Sequence, residues 1–194
     1  MEWEQIGALA LFAFVSTFTP GPNNLMLMAS GANVGFKRSI PHILGITIGF
    51  PVMIILVGLG LMELFTQYPI VHQVLKFVSI SYLFYLAYKI ATSQPPQTNN
   101  LYQPLTFLNA ASFQWVNPKG WSMALTAVSV YNVNNSALGL GIIAIIFVLT
   151  NIPSGTAWTI AGKQLQHILT SPSRIRAFNW SMAFLLIGST VPML

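Results

Sequence analysis

The stretch that decides the fold reads LFAFVSTFTPGPNNLMLMAS over residues 11–30. Apolar sequence continues on both sides of Pro20, Gly21 and Pro22, so these three residues interrupt what would otherwise be one long helix. In hydrocarbon, the backbone groups that such a break frees need partners, and the break survives only against protein or a water-filled cavity. We therefore predict a broken membrane helix at a functional cavity.

The residues around this break support a functional interpretation. Asn23 and Asn24 follow it directly and offer amide donors and acceptors at the same depth. A loop at the cytoplasmic membrane face is the alternative. The stretch from Trp3 to Gly35 is too long for a single straight span of about 20 residues, which favours the broken helix.

A second break is predicted at Asn117-Pro118-Lys119. Lys119 falls in the middle of its apolar stretch, where a lysine costs at least about 2.5–3.5 kcal/mol unless it faces a partner or water. The alternative is a lysine whose stem reaches an interface, but its central position makes this difficult. Lys119 is therefore a candidate functional residue.

Composition places the whole chain in a membrane. Of its 194 residues, 54% are hydrophobic and 6% are charged, whereas a soluble domain carries about 25% charged residues. The mean hydropathy is +0.66. There is no cysteine, which excludes thiol catalysis, disulfides and cysteine-based metal sites. His42, His72 and His167 lie near the ends of apolar stretches and are expected at interfaces rather than at a metal.

Apolar stretches of membrane-spanning length predict an all-α integral membrane fold with a single transporter domain. The six predicted spans are 4–30, 40–62, 70–91, 105–130, 138–162 and 176–193. A polar linker at about 93–103 divides the chain into halves of three spans, about 1–92 and 104–194.

The two halves carry a weak internal repeat. Pro20 and Pro118 occupy similar places in the first and fourth spans, as Pro51 and Pro153 do in the second and fifth. A repeat of three spans must enter the membrane in the opposite sense the second time. The expected fold is thus two inverted three-helix repeats, with the first and fourth helices interrupted.

Charge placement predicts the orientation. If the spans alternate, six basic residues share one side, and the acids Glu2, Glu4 and Glu63 lie on the other. The basic side faces the cytoplasm by the positive-inside rule. Both termini are therefore expected to be extracytoplasmic. The six basic residues are Lys37, Arg38, Lys89, Lys163, Arg174 and Arg176.

Interrupted helices at matching positions of two repeats are typical of a transporter binding site. Half-helix N-termini suit a carboxylate, and unwound carbonyls with asparagine amides suit an ammonium, so the pattern fits a small zwitterion better than a sugar or a metal ion. No catalytic residue, metal site or cofactor is expected. The predicted substrate-binding residues are Pro20, Gly21, Pro22, Asn23, Asn24, Asn117, Pro118 and Lys119.

Two pairs of glycines are expected to pack helices together. Gly31 and Gly35 are spaced like Gly45 and Gly49, and small residues at this spacing let membrane helices approach closely. We assign them no binding role.

These motifs resemble a known family. Residues 18–24, followed by the four glycines, are similar to the signature of the lysine exporter (LysE/RhtB) family, and Asn117-Pro118-Lys119 is similar to its second-half motif. The segment 82–89 resembles its third span. The resemblance implies export of amino acids across the bacterial inner membrane, driven by the proton motive force, and it is greatest for the cysteine and O-acetylserine exporters. No acidic residue lies mid-span as a proton carrier.

The predicted function is export of small neutral amino acids or derivatives of the cysteine/O-acetylserine or threonine/homoserine type. Lys119 is positive and no acid is placed to compensate a cationic side chain, which disfavours lysine and arginine as substrates. The expected partners are the amino acid, the lipid bilayer and a coupling ion, H⁺ by expectation, but no nucleic acid. A homo-oligomer is left open.

Two alternatives have to be tested against this function. One is a non-transporting membrane assembly or scaffold protein. The other is an intramembrane enzyme, which would need paired catalytic groups at one depth, and none is evident. The segment Ile152-Pro153-Ser154-Gly155 matches a membrane serine protease motif only loosely, because the preceding glycine is missing.

Overall fold

The computed structural model describes residues 2–61, 67–93, 102–132 and 136–189. Every regular element in these ranges is helical, and eight α-helices are present. They are α1 Trp3–Phe18, α2 Pro22–Val34, α3 Phe36–Leu56, α4 Pro69–Ala91, α5 Phe107–Phe113, α6 Pro118–Tyr131, α7 Ala137–Leu165 and α8 Pro172–Gly188. A π-helical segment, Val57–Leu61, extends α3, and a 3₁₀ segment, Gln114–Val116, extends α5.

Local sequence explains where several helices begin. Thr106, Ser136 and Ser171 precede α5, α7 and α8, and each side-chain oxygen accepts a hydrogen bond from a backbone N–H of the first turn. A single residue, Gly35, connects α2 to α3 with φ 78° and ψ 178°. This backbone conformation strains residues that carry a Cβ. The close packing expected at Gly35 is absent, because nothing lies within 4 Å of a Cβ built there.

The predicted spans and the helices agree in part. Three helices, Phe36–Leu61, Gln73–Ala91 and Ala137–Leu165, are each long and apolar enough to cross a membrane. The first and fourth predicted spans are each divided into two helices. The sixth begins earlier than expected, at Pro172 rather than 176. Most of the predicted linker 93–103, Glu63 and the end of the sixth span lie outside the described residues.

Large apolar side chains cover much of the molecular surface. On α3, Ile40, Leu44, Ile48 and Val52 repeat every four residues and are 40–49% exposed. Similar exposed residues occur on α4, α7 and α8, for example Phe77, Leu149 and Phe184. An exposed apolar surface of this extent is typical of contact with lipid.

The helices α3 and α7 form the centre of the packing. They contact each other, while α2 packs on α7 and α5 packs on α3. A Cβ at Gly31 would overlap the carbonyl of Thr159, and a Cβ at Gly162 would overlap that of Met28, so α2 and α7 meet backbone to backbone. A Cβ at Gly45 or at Gly49 would likewise overlap backbone atoms of α5.

His42 is the clearest difference from the sequence analysis. We expected it at an interface, but the side chain is 0% exposed and neither ring nitrogen has a hydrogen-bond partner. The expectation was wrong because position along an apolar stretch does not show which face of α3 the other helices cover. The side chain of His72 is not described, and His167 is exposed beyond the end of α7.

Candidate substrate site between two helix breaks

The first break lies between α1 and α2, at Thr19, Pro20 and Gly21. Pro20 disfavours helical backbone at the residue before it, and Pro22 does the same to Gly21. Thr19 is accordingly extended, with ψ 145°, and Gly21 is almost fully extended, with φ −175° and ψ 176°. Pro22 occupies the first position of α2, where its missing N–H removes no helical bond.

Side chains of α2 and α7 bond the carbonyl oxygens at the end of α1. Asn24 Nδ2 donates to Thr17 O and to Thr19 O, both at 2.8 Å. From α7, Ser154 Oγ donates to Thr17 O at 2.8 Å. Trp158 Nε1 donates to the carbonyl of the last residue of α1 at 3.2 Å. These bonds replace the helical partners that the break removes, as the low polarity of a membrane requires.

The second break separates α5 from α6 at Asn117. The 3₁₀ segment ends there, and Asn117 is extended, with φ −93° and ψ 109°, because the next residue is a proline. Pro118 is the first residue of α6, just as Pro22 is the first residue of α2. Pro118 therefore corresponds to Pro22 and not, as its place in the sequence repeat predicts, to Pro20.

Two sets of hydrogen bonds join the breaks. Lys119 Nζ, on the first turn of α6, donates to Thr19 O at 2.6 Å, to Thr19 Oγ1 at 2.9 Å and to Pro20 O at 3.4 Å. Asn23 Nδ2 donates to Gln114 Oε1 at 2.9 Å, and Gln114 Nε2 donates back to Asn23 Oδ1 at 3.3 Å. Residues distant in sequence therefore meet at one place.

A cavity lies between the two breaks. It contains about 470 Å³ of space that atoms do not fill, its open mouth included, and about 30 Å³ of this can hold the centre of a water molecule. The first turns of α2 and α6 form part of its wall, so two positive helix-dipole ends lie there. The lining residues are Ser16, Thr17, Gly21, Asn23, Asn24, Leu27, Ile43, Ile46, Phe50, Gln114, Asn117, Lys119, Gly120, Met123, Asn151, Ser154 and Gly155.

Two buried amide atoms of lining residues have no hydrogen-bond partner, namely Asn117 Oδ1 and Asn151 Nδ2. A buried polar atom without a partner costs about 1–3 kcal/mol, and such atoms in a native structure call for an explanation. One is an acceptor and the other a donor, so together they suit a ligand that offers both. The other unpartnered buried atoms in the described ranges are on His42, Thr47 and Asn132, outside the cavity lining.

The charge of the cavity wall is positive. Among the described residues that line it, Lys119 is the one with an ionisable side chain. Its ammonium lies at the C-terminal end of α1, where the helix dipole is negative. The described lining residues include no carboxylate, and their remaining polar side-chain groups are amides and hydroxyls.

The comparisons with known proteins identify a transporter family. A model of the LysE type translocator family matches residues 14–192. The chain belongs to this family. It is therefore a translocator and not an enzyme, and its apolar helices and bacterial relatives make it a multi-pass inner-membrane protein. No solved structure matches the chain significantly.

Relatives of this LysE type translocator include proteins named cysteine/O-acetylserine efflux protein. The one from Klebsiella pneumoniae subsp. pneumoniae is 28% identical over 191 residues, which cover 96% of this chain and 95% of the relative. Those from Salmonella choleraesuis and Escherichia coli strain K12 are 28% and 25% identical over 188 residues, with the same coverage.

The translocator brings five of the predicted site residues to the cavity, namely Gly21, Asn23, Asn24, Asn117 and Lys119. The three predicted prolines are not part of the lining; they shape the two breaks from beside it.

Sequence reasoning missed two amides of the cavity wall, Gln114 and Asn151. Each is a polar side chain inside an apolar stretch, which is the signal that could have found it. Neither residue stands in a motif, and this is why both were overlooked.

Ser154 of the translocator is not arranged as a nucleophile. The residue is 2% exposed, and its hydroxyl donates to a backbone carbonyl rather than to a base. An activated serine needs a base that takes its proton. The hydroxyl instead completes the hydrogen bonding of the first break, in line with the family assignment.

Proposed function

We propose that the chain exports small neutral amino acids or close derivatives through the cavity between the breaks, driven by the proton motive force. The substrates are of the cysteine/O-acetylserine or threonine/homoserine type. One observation carries the proposal: two helix N-termini, a lysine and two asparagines that each have an unpartnered amide atom line one cavity. Membership of the translocator family and the names of the efflux relatives support it.

The polar groups of the cavity suit both ends of an amino-acid zwitterion. The N-termini of α2 and α6 favour a carboxylate through their free N–H groups and dipoles. Asn151 Nδ2 is a further free donor for the carboxylate. Asn117 Oδ1 is an acceptor for an ammonium. The carbonyls of Thr19 and Pro20 accept from Lys119 in this structure and become acceptors for a substrate ammonium when Lys119 leaves them.

The charge of the wall favours substrates without a net charge. A cationic side chain would find no carboxylate among the described lining residues, and it would also meet a like charge whenever Lys119 is protonated. Like charges repel strongly where the effective dielectric is low. Lysine and arginine are therefore poor substrates under this proposal. The groups that bind the zwitterion are common to all amino acids, so discrimination among the small neutral ones is modest.

We propose that the site is carried by six spans in two inverted repeats. The support is the order of the helices, since each half has a short helix, a break, a second short helix, a long helix and a final helix. The series is α1 to α4 in the first half and α5 to α8 in the second. An odd number of spans inverts the second repeat.

The proposed orientation places both termini outside the cytoplasm. Lys37 and Lys163 border one surface groove, and Asn179 of α8 donates to the carbonyl of Ser93, just after α4. The ends of the helices that carry the basic residues therefore lie close together. The positive-inside rule makes this the cytoplasmic end.

Efflux from proteoliposomes tests the substrate class. Vesicles that contain the purified chain would be loaded with labelled cysteine, threonine, homoserine, lysine or arginine, with and without a pH gradient. We expect the neutral compounds to leave at least about tenfold faster than the cationic ones, which corresponds to about 1.4 kcal/mol, and the gradient to accelerate their export. Competition by arginine or lysine at the strength of the neutral set would contradict the charge argument.

A further inference from the structure

The ammonium group of Lys119 lies in a cage of three oxygen atoms. The acceptors are Thr19 O at 2.6 Å, Thr19 Oγ1 at 2.9 Å and Pro20 O at 3.4 Å. All three belong to Thr19 and Pro20, exposed residues of the first break that are not part of the cavity lining, while the lysine belongs to the second break and lines the cavity. An ammonium has three N–H donors, so the number of donors equals the number of acceptors.

The cage can only accept hydrogen bonds. Two of its atoms are carbonyl oxygens, and the Thr19 hydroxyl already donates its own hydrogen to Ser16 O at 3.0 Å. A neutral amine has two N–H groups and a lone pair. In the same position, its lone pair would point at an oxygen atom and one of the three bonds to Nζ would be lost, while Thr19 O would keep its bond from Asn24 Nδ2. The cage therefore distinguishes the charged from the neutral form of Lys119.

Gly21 gives the lysine stem access to the cage. A Cβ at this position would lie 2.6 Å from Lys119 Cδ and 3.2 Å from Nζ, well inside van der Waals contact. Gly21 is buried and lines the cavity, so the stem passes directly over the backbone of the break. The contact between the two breaks therefore depends on one residue from each, Gly21 in the first and Lys119 in the second.

Lys119 is also the ionisable residue, among those described, that lines the substrate cavity. Among the described residues, the charged or titratable groups on the helices around it are Glu2 and Glu4 at the start of α1, Lys37, Arg38 and His42 on α3, Tyr131 at the end of α6, and Lys163 at the end of α7. None of them lines the cavity. Proton binding that is coupled to the occupation of this cavity therefore has one candidate residue.

We propose that Lys119 is the proton-carrying residue of the transporter and that its ammonium competes with the ammonium of the substrate for the same cage. This inference rests on the proposed function. On the cytoplasmic side, Nζ transfers one proton to water, and the neutral amine leaves the cage. The carbonyls of Thr19 and Pro20 then accept the substrate ammonium.

On the opposite side the exchange runs in reverse. Water supplies one proton to Nζ, the ammonium returns to the cage, and the substrate ammonium is displaced. Proton and substrate occupy the cage in alternation, which is the requirement for antiport. One proton enters the cell for each zwitterion that leaves, and no other ion is needed.

Counterflow separates substrate binding from proton coupling. Vesicles with equal pH on both sides exchange labelled external for unlabelled internal substrate without net proton movement. For the wild type we expect counterflow to rise with pH, as neutral Lys119 becomes more frequent. For Lys119→Met we expect counterflow that no longer changes with pH, and at least a tenfold loss of accumulation driven by a pH gradient. Lys163→Met, at an exposed site outside the cavity, is the matched control and should behave as the wild type.

A second variant keeps the test independent of how Lys119→Met folds. Thr19→Val removes one acceptor and retains the shape of the side chain. A hydrogen bond to a charged group contributes about 1.5–3 kcal/mol, and 1.36 kcal/mol corresponds to about one pH unit. Loss of an acceptor disfavours the charged form, so the midpoint of counterflow should move to lower pH by roughly one unit. A purely structural role of Thr19 would lower the rate without moving the midpoint.

The possible results distinguish failure of the proposed function from failure of the role of Lys119 as proton carrier. Absence of counterflow in the wild type for every neutral amino acid would overturn the proposed function itself. Wild-type counterflow together with full pH-driven accumulation by Lys119→Met would overturn only the role of Lys119 as proton carrier. Loss of both activities in a folded Lys119→Met, or an unchanged midpoint in Thr19→Val, would also overturn it.

Discussion

At the scale of the residue, Asn151 has the most specific consequence for transport. Its buried Nδ2 has no partner at the cavity wall, so the folded protein gains little from the amide while a bound substrate would gain a hydrogen bond. We expect Asn151→Leu to retain or raise the unfolding temperature and to raise the KM for neutral amino acids about tenfold. Thermal unfolding in detergent and initial efflux rates measure the two effects.

The neighbouring Thr150 provides a matched control for Asn151→Leu. Its hydroxyl donates to Ile146 O in its own helix at 3.0 Å, and the residue does not line the cavity. Thr150→Val should therefore leave KM unchanged. If Asn151→Leu lowered stability and left KM unchanged, the amide would belong to the packing and not to the substrate site.

Asn24 is expected to act on stability more than on binding. The residue is 7% exposed, and its Nδ2 is occupied by the carbonyls of Thr17 and Thr19. In Asn24→Ala, the carbonyl of Thr17 would keep only the hydrogen bond from Ser154, and the carbonyl of Thr19 only the one from Lys119. We expect a loss of about 1–3 kcal/mol in the free energy of unfolding, visible as a lower unfolding temperature. An unchanged temperature would show that water takes over these bonds.

At the scale of the element, the contact between α2 and α7 permits almost no additional volume. A Cβ at Gly162 would overlap the backbone carbonyl of Met28, and backbone atoms cannot rotate away. Forcing atoms into a filled contact costs about 1–3 kcal/mol. We expect Gly162→Ala to lower the unfolding temperature and the yield of folded protein, as measured in detergent.

The same helix contains a glycine for comparison. No atom lies within 4 Å of a Cβ at Gly141, also on α7. Because alanine has the higher helix propensity by about 1 kcal/mol, Gly141→Ala should be neutral or stabilising. Equal behaviour of the two variants would mean that α2 and α7 can separate without loss.

A helix boundary could be predicted from the sequence where its cause is local to a few residues. Both breaks lie within one residue of the predicted motifs, because a proline acts on its own N–H and on the residue before it. The start of α8 at Pro172 was missed, since polar residues there hid the helix from a hydropathy criterion. Gly35 was assigned to packing, but its φ of 78° shows that it makes the turn.

At the scale of the whole molecule, the six-span arrangement predicts which sides of the membrane the linker and the C-terminus face. A reporter at Gln97 should be cytoplasmic and a reporter at Leu194 extracytoplasmic, because three spans separate them. Fusions to alkaline phosphatase and to a fluorescent protein, which are active on opposite sides, measure this directly. A cytoplasmic reporter at Leu194 would contradict either the number of spans or their orientation.

The sequence by itself determined the membrane environment, the two breaks and the residue types beside them. These features follow from composition and from the local chemistry of proline. Only the tertiary structure decided that Lys119 reaches Thr19, that Gln114 pairs with Asn23, and that Asn151 joins the same cavity. Such contacts depend on which faces of helices far apart in sequence meet, and weakly amphipathic membrane helices carry little periodic signal for that choice.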